Sequence, residues 1–325
     1  MLRVYVQNQK ERGEAYQITP ERWRSTVHLP AEKVHATFHD KSNVDLAALG
    51  VADVCVGSGF DPALIQRHAR KLKLLHVTSA GVEKYLPLDW LPDGAVFTNS
   101  RGVHAGKAEQ YALMTLLMLS SKFPLLADAQ RHHRWAPVLT PMTMGQRVTI
   151  VGLGNLGTAV ARAAQTLGMD VTAVTRSGKP ASHAARVVPT SNLKDAVSDA
   201  NYVVLTCPLT DATRGLISDE VIKSIPRGGG LINMARGAVL DTTALINALR
   251  ENHLSGAVLD VFDEEPLPAS SPLWNCPNLV ITPHVSCDEP LGYIEKTLQS
   301  LNENLAQLLE GRRPNINVVS PLHQY

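Results

Sequence analysis

Short runs of β-branched and aliphatic residues recur through the first hundred positions, each followed by a polar or helix-compatible stretch. Runs at residues 2–6, 34–38, 53–56, 74–77 and 96–98 predict strands. Strands alternating with helices at this spacing predict a parallel α/β sheet. From His104 to Ser121 the pattern changes: Tyr111, Leu113, Met114, Leu116, Leu117, Met118 and Leu119 cover nearly the whole circumference. That distribution predicts a buried helix linking two domains. A second series of apolar runs begins at Arg147, with strands expected at residues 148–151, 171–174, 202–205, 231–234, 257–261 and 279–281. Runs without polar alternation suit strands covered on both faces. Asp241 is placed to cap a helix carrying Leu245 and Leu249. Finally Leu291, Ile294, Leu298, Leu301, Leu305 and Leu308 step by three and four, an amphipathic helix that Gly311 and Pro314 bring to an end. The chain carries no internal repeat and no low-complexity segment.

The first strand of the second series leads into Gly152-Leu-Gly154-Asn155-Leu156-Gly157 and then into a helical stretch. In this context the glycines have separate uses. Gly152 permits a tight turn, Gly154 lets backbone approach a pyrophosphate, and Gly157 lets helix and strand pack closely. Asn155 and Leu156 belong to the same cradle, where the N–H groups and positive end of a helix face phosphate. The pattern therefore predicts dinucleotide binding. The next strand normally ends in an acid that holds the ribose 2′-hydroxyl. Here Thr175 takes that position, followed by Arg176, Ser177 and Lys179. An acid would repel a 2′-phosphate, whereas Arg176 and Ser177 suit one, because guanidinium donates in a planar fork. NADP is the expected cofactor, with NAD possible; the bland alternative is a solvated basic loop.

The length of 325 residues allows two domains with separate cores. Apolar residues at 44% and charged residues at 19% are ordinary for a globular chain. A net charge of +1 gives no surplus to attract nucleic acid or an acidic membrane. No apolar run reaches the length of a membrane span, and the first six residues read as a strand rather than a signal peptide, so a cytoplasmic location is expected. Cys55, Cys207, Cys276 and Cys287 show no CxxC spacing. They fit reduced, mostly buried thiols and argue for no metal site.

Three later segments complete the picture: Ile232-Asn-Met234-Ala-Arg236-Gly237, Leu259-Asp260-Val-Phe-Asp-Glu-Glu265-Pro266, and Ile281-Thr-Pro283-His284. Arg236 and Asp260 are separated by 24 positions, Asp260 and Glu265 by 5. With the glycine loop, these motifs closely resemble the D-isomer-specific 2-hydroxy acid dehydrogenase family over roughly residues 70–320. Within it the glyoxylate/hydroxypyruvate reductase group is the most similar. The resemblance implies an α/β fold in which a doubly wound Rossmann cofactor domain, residues 104–288, is inserted into a smaller flavodoxin-like substrate domain, residues 1–103 and 289–325. It places the active site in the cleft between them, where open α/β sheets bind ligands.

The implied activity is hydride transfer from NADPH to the carbonyl of a small 2-oxo acid, giving a D-2-hydroxy acid. His284 suits the proton donor, because imidazole titrates near neutrality. Glu265 would accept a hydrogen bond from its other nitrogen and favour imidazolium. Arg236 would grip the substrate carboxylate and stabilise the developing alkoxide. The resemblance gives Asp260 the nicotinamide carboxamide and lets Cys207-Pro208 pass the nicotinamide ribose. Met234 counts with the cofactor-binding residues, and Ser79-Ala80-Gly81 with the loop whose N–H groups bind the substrate carboxylate. One residue departs from the pattern: Lys107 stands where an apolar side chain is usual, and the favoured reading packs its stem while the ammonium reaches water. Trp135 either approaches a partner subunit's site in a homodimer or packs in the core. Two other readings compete: oxidation of another hydroxy acid, such as a phosphorylated one, and a nicotinamide-sensing binding protein of the same fold. Formate oxidation is disfavoured, since formate dehydrogenases of this superfamily carry glutamine where Glu265 stands.

Overall fold

The computed structural model describes residues 1–322. The chain divides into two compact units, Met1–Val103 with Glu289–Tyr325 and His104–Asp288. The first unit opens with β1 (Leu2–Asn8), α1 (Pro20–Thr26), β2 (Val34–Asp40), α2 (Leu46–Gly50), β3 (Val54–Gly57), α3 (Pro62–His68), β4 (Leu74–Val77) and β5 (Val96–Thr98). The second unit runs α4 (Ala105–Ser120), α5 (Phe123–Arg131), β6 (Arg147–Val151), α6 (Asn155–Thr166), β7 (Asp170–Thr175), β8 (Arg186–Pro189), α7 (Leu193–Val197), β9 (Tyr202–Leu205), α8 (Asp219–Ser224), β10 (Gly230–Asn233), α9 (Thr242–Arg250), β11 (Gly256–Leu259) and β12 (Leu279–Ile281). The chain then returns to the first unit with α10 (Tyr293–Leu309).

In the first unit a parallel five-stranded sheet has the order β2-β1-β3-β4-β5, the flavodoxin-like winding. Successive side chains of a strand point to opposite faces. Val4 and Val6 therefore meet Leu298, Leu301 and Leu305 of α10, while Tyr5 joins Leu49, Ile65 and Phe97 on the other side. Each fully buried aliphatic side chain of this kind contributes about 1.5–3 kcal/mol. The three short helices start at side-chain caps: Thr19, Asp45 and Asp61 accept from Arg22 N, Ala48 N and Ala63 N. α10 begins at Tyr293, so Leu291 lies outside it and is 78% exposed. Tyr293 takes the buried position that the three-four pattern assigned to Leu291, since Gly292 at φ +87° starts the helix there.

In the second unit seven parallel strands have the order β12-β11-β10-β9-β6-β7-β8. This is the doubly wound dinucleotide-binding arrangement extended by one strand. One face packs Val203, Leu205 and Leu231 on Ile222, Leu245 and Leu249. The other packs Ile150, Val204 and Ile232 on Tyr111 and Leu116 of α4 and Val160 and Ala163 of α6. Asp241 caps α9 through Ala244 N at 2.9 Å, as its position in the sequence predicts. α4 is not buried all round. Ala108, Tyr111, Ala112, Thr115, Leu116 and Leu119 form a buried stripe, whereas Met114 and Leu117 are exposed. Among the described residues no single helix is long and apolar enough to cross a membrane, and no group of three His, Cys, Asp or Glu side chains could hold a metal.

Candidate active site

Parallel winding sends every strand of a sheet in one direction, so the loops that follow the strands gather along one edge. In the second unit that edge carries the glycine loop after β6, Arg176 after β7, Cys207 after β9, Arg236 after β10, Asp260 after β11 and His284 after β12. β11 ends at Leu259, two residues earlier than expected, which puts Asp260 just past the strand.

The glycine loop fits a dinucleotide on three observations. Gly152 adopts φ +98°, and a Cβ there would lie 2.7 Å from Cys207 Cα. A Cβ on Gly157 would lie 1.9 Å from the Gly152 carbonyl oxygen, so helix α6 approaches the loop as only glycine allows. A Cβ on Gly154 would meet nothing within 4 Å, so this glycine answers to open space rather than to the protein's own packing. Gly154, Asn155 and Leu156 line the start of α6, which has no side-chain cap, and helix N–H groups left that way suit phosphate. Pro208 is half-buried, and Cys207 and Met234 are buried.

At the end of β7 the Thr175 hydroxyl accepts from Gly178 N at 3.0 Å and shapes the following turn. Gly178 adopts φ +65° against Pro189. Arg176 and Ser177 are exposed on this turn, and Ser177 Oγ accepts from Lys179 N at 3.4 Å.

After β10, Asn233 builds the arginine loop. Its Oδ1 accepts from Ala235 N at 2.9 Å and its Nδ2 donates to the Arg236 carbonyl at 3.0 Å. Half-buried Arg236 donates from Nη1 to the Ala235 carbonyl at 2.6 Å. A Cβ on Gly237 would lie 2.1 Å from the Phe262 carbonyl carbon, so this loop packs backbone-to-backbone on the segment leading to Glu265. Glu265 uses both oxygens: Oε1 accepts from Phe262 N at 2.9 Å, and Oε2 lies 2.7 Å from His284 Nδ1. The His284 ring is about half exposed.

The carboxylate of Asp260 is fully buried and turned into the 282–286 segment. Its Oδ1 accepts from Thr282 Oγ1 at 2.6 Å and Val285 N at 2.9 Å, and its Oδ2 from Ser286 N at 3.0 Å. Its carbonyl accepts from His284 N at 2.9 Å. Thr282 and Asn233 escape a search for catalytic side chains because they act through other groups, Thr282 on the Asp260 carboxylate and Asn233 on the backbone of its own loop. The signal available was Asn three residues before Arg236, since Asn readily bonds nearby backbone. Lys107 lies half-buried near the start of α4, and Glu109 in the next turn pairs with Arg162 of α6 at 2.8 Å. Trp135 is 96% exposed, which removes the core-packing alternative within this chain. In the first unit Ser79, Ala80 and Gly81 follow β4, half-buried. Ser79 Oγ donates to the Gly81 carbonyl at 2.8 Å, and the Ala80 carbonyl accepts from Asn99 Nδ2 at 2.7 Å.

Residues 113–286 match the family model described as D-isomer specific 2-hydroxyacid dehydrogenase, NAD binding domain. The chain belongs to this family. It is an NAD(P)-dependent oxidoreductase of the D-2-hydroxyacid dehydrogenase class. A glyoxylate reductase of Korarchaeum cryptofilum is 32% identical over 228 residues, 67% of this chain and 68% of that protein. Glyoxylate/hydroxypyruvate reductase A of Salmonella choleraesuis is 29% identical over 254 residues, 75% of this chain and 81% of that one. The crystal structure of a family member from Xanthobacter autotrophicus Py2, in complex with NADPH and MES, superposes with a TM-score of 0.85 at 29% identity, covering 100% of both chains.

Proposed function

We propose that this enzyme reduces small 2-oxo acids of the glyoxylate and hydroxypyruvate type with NADPH, giving D-2-hydroxy acids. The observation that carries the proposal is the 2.7 Å His284–Glu265 pair at the sheet edge that also bears Arg236 and the glycine loop. Glyoxylate and hydroxypyruvate reductases among the relatives support the substrate class.

When bound, the reduced nicotinamide supplies hydride. The residues of the chain do the rest. Glu265 occupies Nδ1 of His284, which leaves Nε2 as the atom that hands a proton to the substrate oxygen. Arg236 holds the substrate carboxylate and stabilises negative charge growing on the oxygen. Gly152, Gly154, Asn155, Leu156 and Gly157 cradle the pyrophosphate, while Cys207, Pro208 and Met234 border the cofactor. Asp260 reaches the carboxamide only if one oxygen of its inward-turned carboxylate takes a further donor. Thr175-Arg176-Ser177, in place of an acid, favours the 2′-phosphate, and NADPH bound to the Xanthobacter relative supports that preference. Residues 104–288 act as the cofactor domain and residues 1–103 with 289–325 as the substrate domain, whose Ser79-Ala80-Gly81 loop offers N–H groups to the substrate carboxylate. The protein acts as a homodimer, with exposed Trp135, Leu139 and Met142 as the apolar surface to be covered.

The test is steady-state turnover of a panel of 2-oxo acids with NADPH and NADH. The proposal expects glyoxylate and hydroxypyruvate among the best substrates, with NADPH preferred. Turnover confined to bulky or phosphorylated acids, or equal KM values for the two cofactors, would overturn it.

A further inference from the structure

His284 has φ +53°, a left-handed conformation that residues other than glycine rarely adopt. Such a conformation persists only where neighbouring bonds impose it. Here they come from Asp260, which binds residues on both sides of the histidine. On the upstream side it takes the Thr282 hydroxyl, and on the downstream side the N–H groups of Val285 and Ser286. The two N–H bonds are available to any residue type, but the upstream bond depends on a hydroxyl.

That hydroxyl is itself held. Tyr111 of α4, 6% exposed, places its hydroxyl 2.7 Å from Thr282 Oγ1. A carboxylate only accepts hydrogen bonds, so Thr282 spends its single proton on Asp260 and must accept from Tyr111. The chain therefore has one direction, Tyr111 O–H to Thr282 O–H to the Asp260 carboxylate. Burial pushes the Tyr111 phenol up, which keeps it protonated and a donor. α4 is a firm base for the tyrosine, because its buried stripe, Ala108, Ala112 and Leu116, packs in one core with Val160 and Ala163 of α6.

We propose that Tyr111 and Thr282 are positioning residues for His284, fixing the ring's backbone through Asp260 so that Nδ1 meets Glu265 and Nε2 meets the substrate oxygen. Neither touches substrate. The inference rests on the reading of His284 as the proton donor. Its effect is geometric, and small displacements at a reacting centre are costly: about 1 Å can lower a rate about a hundredfold.

The experiment uses the whole protein with glyoxylate and NADPH. It compares wild type with Tyr111→Phe, Thr282→Val, Thr282→Ser and the Tyr111→Phe/Thr282→Val double variant, and includes His284→Ala as the reference. It reads kcat, KM, melting temperature and NADPH affinity by fluorescence. Thr282→Val should lower kcat roughly ten- to a hundredfold, with NADPH affinity unchanged. Thr282→Ser keeps the hydroxyl and should stay within about threefold of wild type. Tyr111→Phe should lower kcat roughly three- to tenfold but add nothing on the Thr282→Val background, where the chain is already broken. Equal kcat for Thr282→Val and Thr282→Ser, or losses that multiply in the double variant, would overturn the positioning role. If Thr282→Val does not fold, Tyr111→Phe decides alone, and wild-type kcat there overturns it. If His284→Ala turns over normally, the proton-donor reading fails, an outcome separate from those above.

Discussion

Replacing Gly237 with alanine tests how rigidly the loop of Arg236 and the segment leading to Glu265 are held against each other. The added Cβ would lie 2.1 Å from the Phe262 carbonyl carbon and 2.2 Å from Asp263 N, both backbone atoms that no rotamer change can move aside. Ordinary contact lies at 3.4–4 Å, so the arginine loop and the 262–265 segment must part by about 1 Å or more. Overpacking of this kind costs about 1–3 kcal/mol, which lowers the melting temperature by several degrees in a unit of this size. The activity should suffer more. Arg236 immediately precedes Gly237 and Glu265 lies on the segment pushed away, so the two side chains proposed to grip substrate and to orient His284 are displaced together. A displacement near 1 Å can lower the rate about a hundredfold. The assay is kcat and KM for glyoxylate, with melting temperature and NADPH affinity measured on the same samples. Gly237→Ala should raise KM and lower kcat while NADPH affinity stays within about threefold, because the glycine loop is built from other residues. Wild-type kcat/KM with a wild-type melting temperature would refute the close packing of these loops as the device that sets the site.

Two more outcomes follow from other parts of the chain. Arg176→Ala should raise KM for NADPH roughly ten- to a hundredfold and leave KM for NADH nearly unchanged, since on the proposed reading it removes one charge-assisted contact to the 2′-phosphate; parallel KM values for both cofactors check it, and equal effects on both would contradict it. His76 is wholly buried between Thr98 Oγ1 at 2.8 Å and Ser100 Oγ at 3.2 Å, and burial lowers its pKa from 6.5 to about 4. The unfolded chain therefore binds the extra proton first, so stability is intact above pH 6.5 and falls as pH drops towards 4, by about 3 kcal/mol. Melting temperature against pH should decline less steeply over that window in His76→Gln, and an unchanged slope would show that the buried imidazole is not responsible.

The sequence was most legible where one physical demand dominates. Continuous apolar runs marked strands covered on both faces, and the glycine triplet marked the tight strand-to-helix turn, because Gly152 and Gly157 have backbone packed where a Cβ would stand. β8 escaped notice: it has four residues, lies at the sheet's edge and ends in Pro189, so it lacks the long apolar run of a central strand. Helices of five to seven residues, such as α1, α2 and α3, span two turns at most and show little periodicity. α4 looked apolar all round because Met114 and Leu117 occupy its exposed side. The pairing of His284 with Glu265 followed from motif order, whereas the inward turn of Asp260 did not. Which way a carboxylate points depends on donors at Thr282, Val285 and Ser286, 22 to 26 residues away.

The central claim is that His284, paired with Glu265, gives the proton as hydride arrives. Its most direct test is single-turnover reduction of glyoxylate at saturating NADPH, comparing wild type with His284→Ala, with a deuteride isotope effect confirming that hydride transfer is observed. General acid catalysis by a positioned side chain contributes about 10²–10⁴-fold. The account predicts a loss of that size in the hydride-transfer rate with NADPH affinity intact. A rate within about threefold of wild type would contradict the assignment.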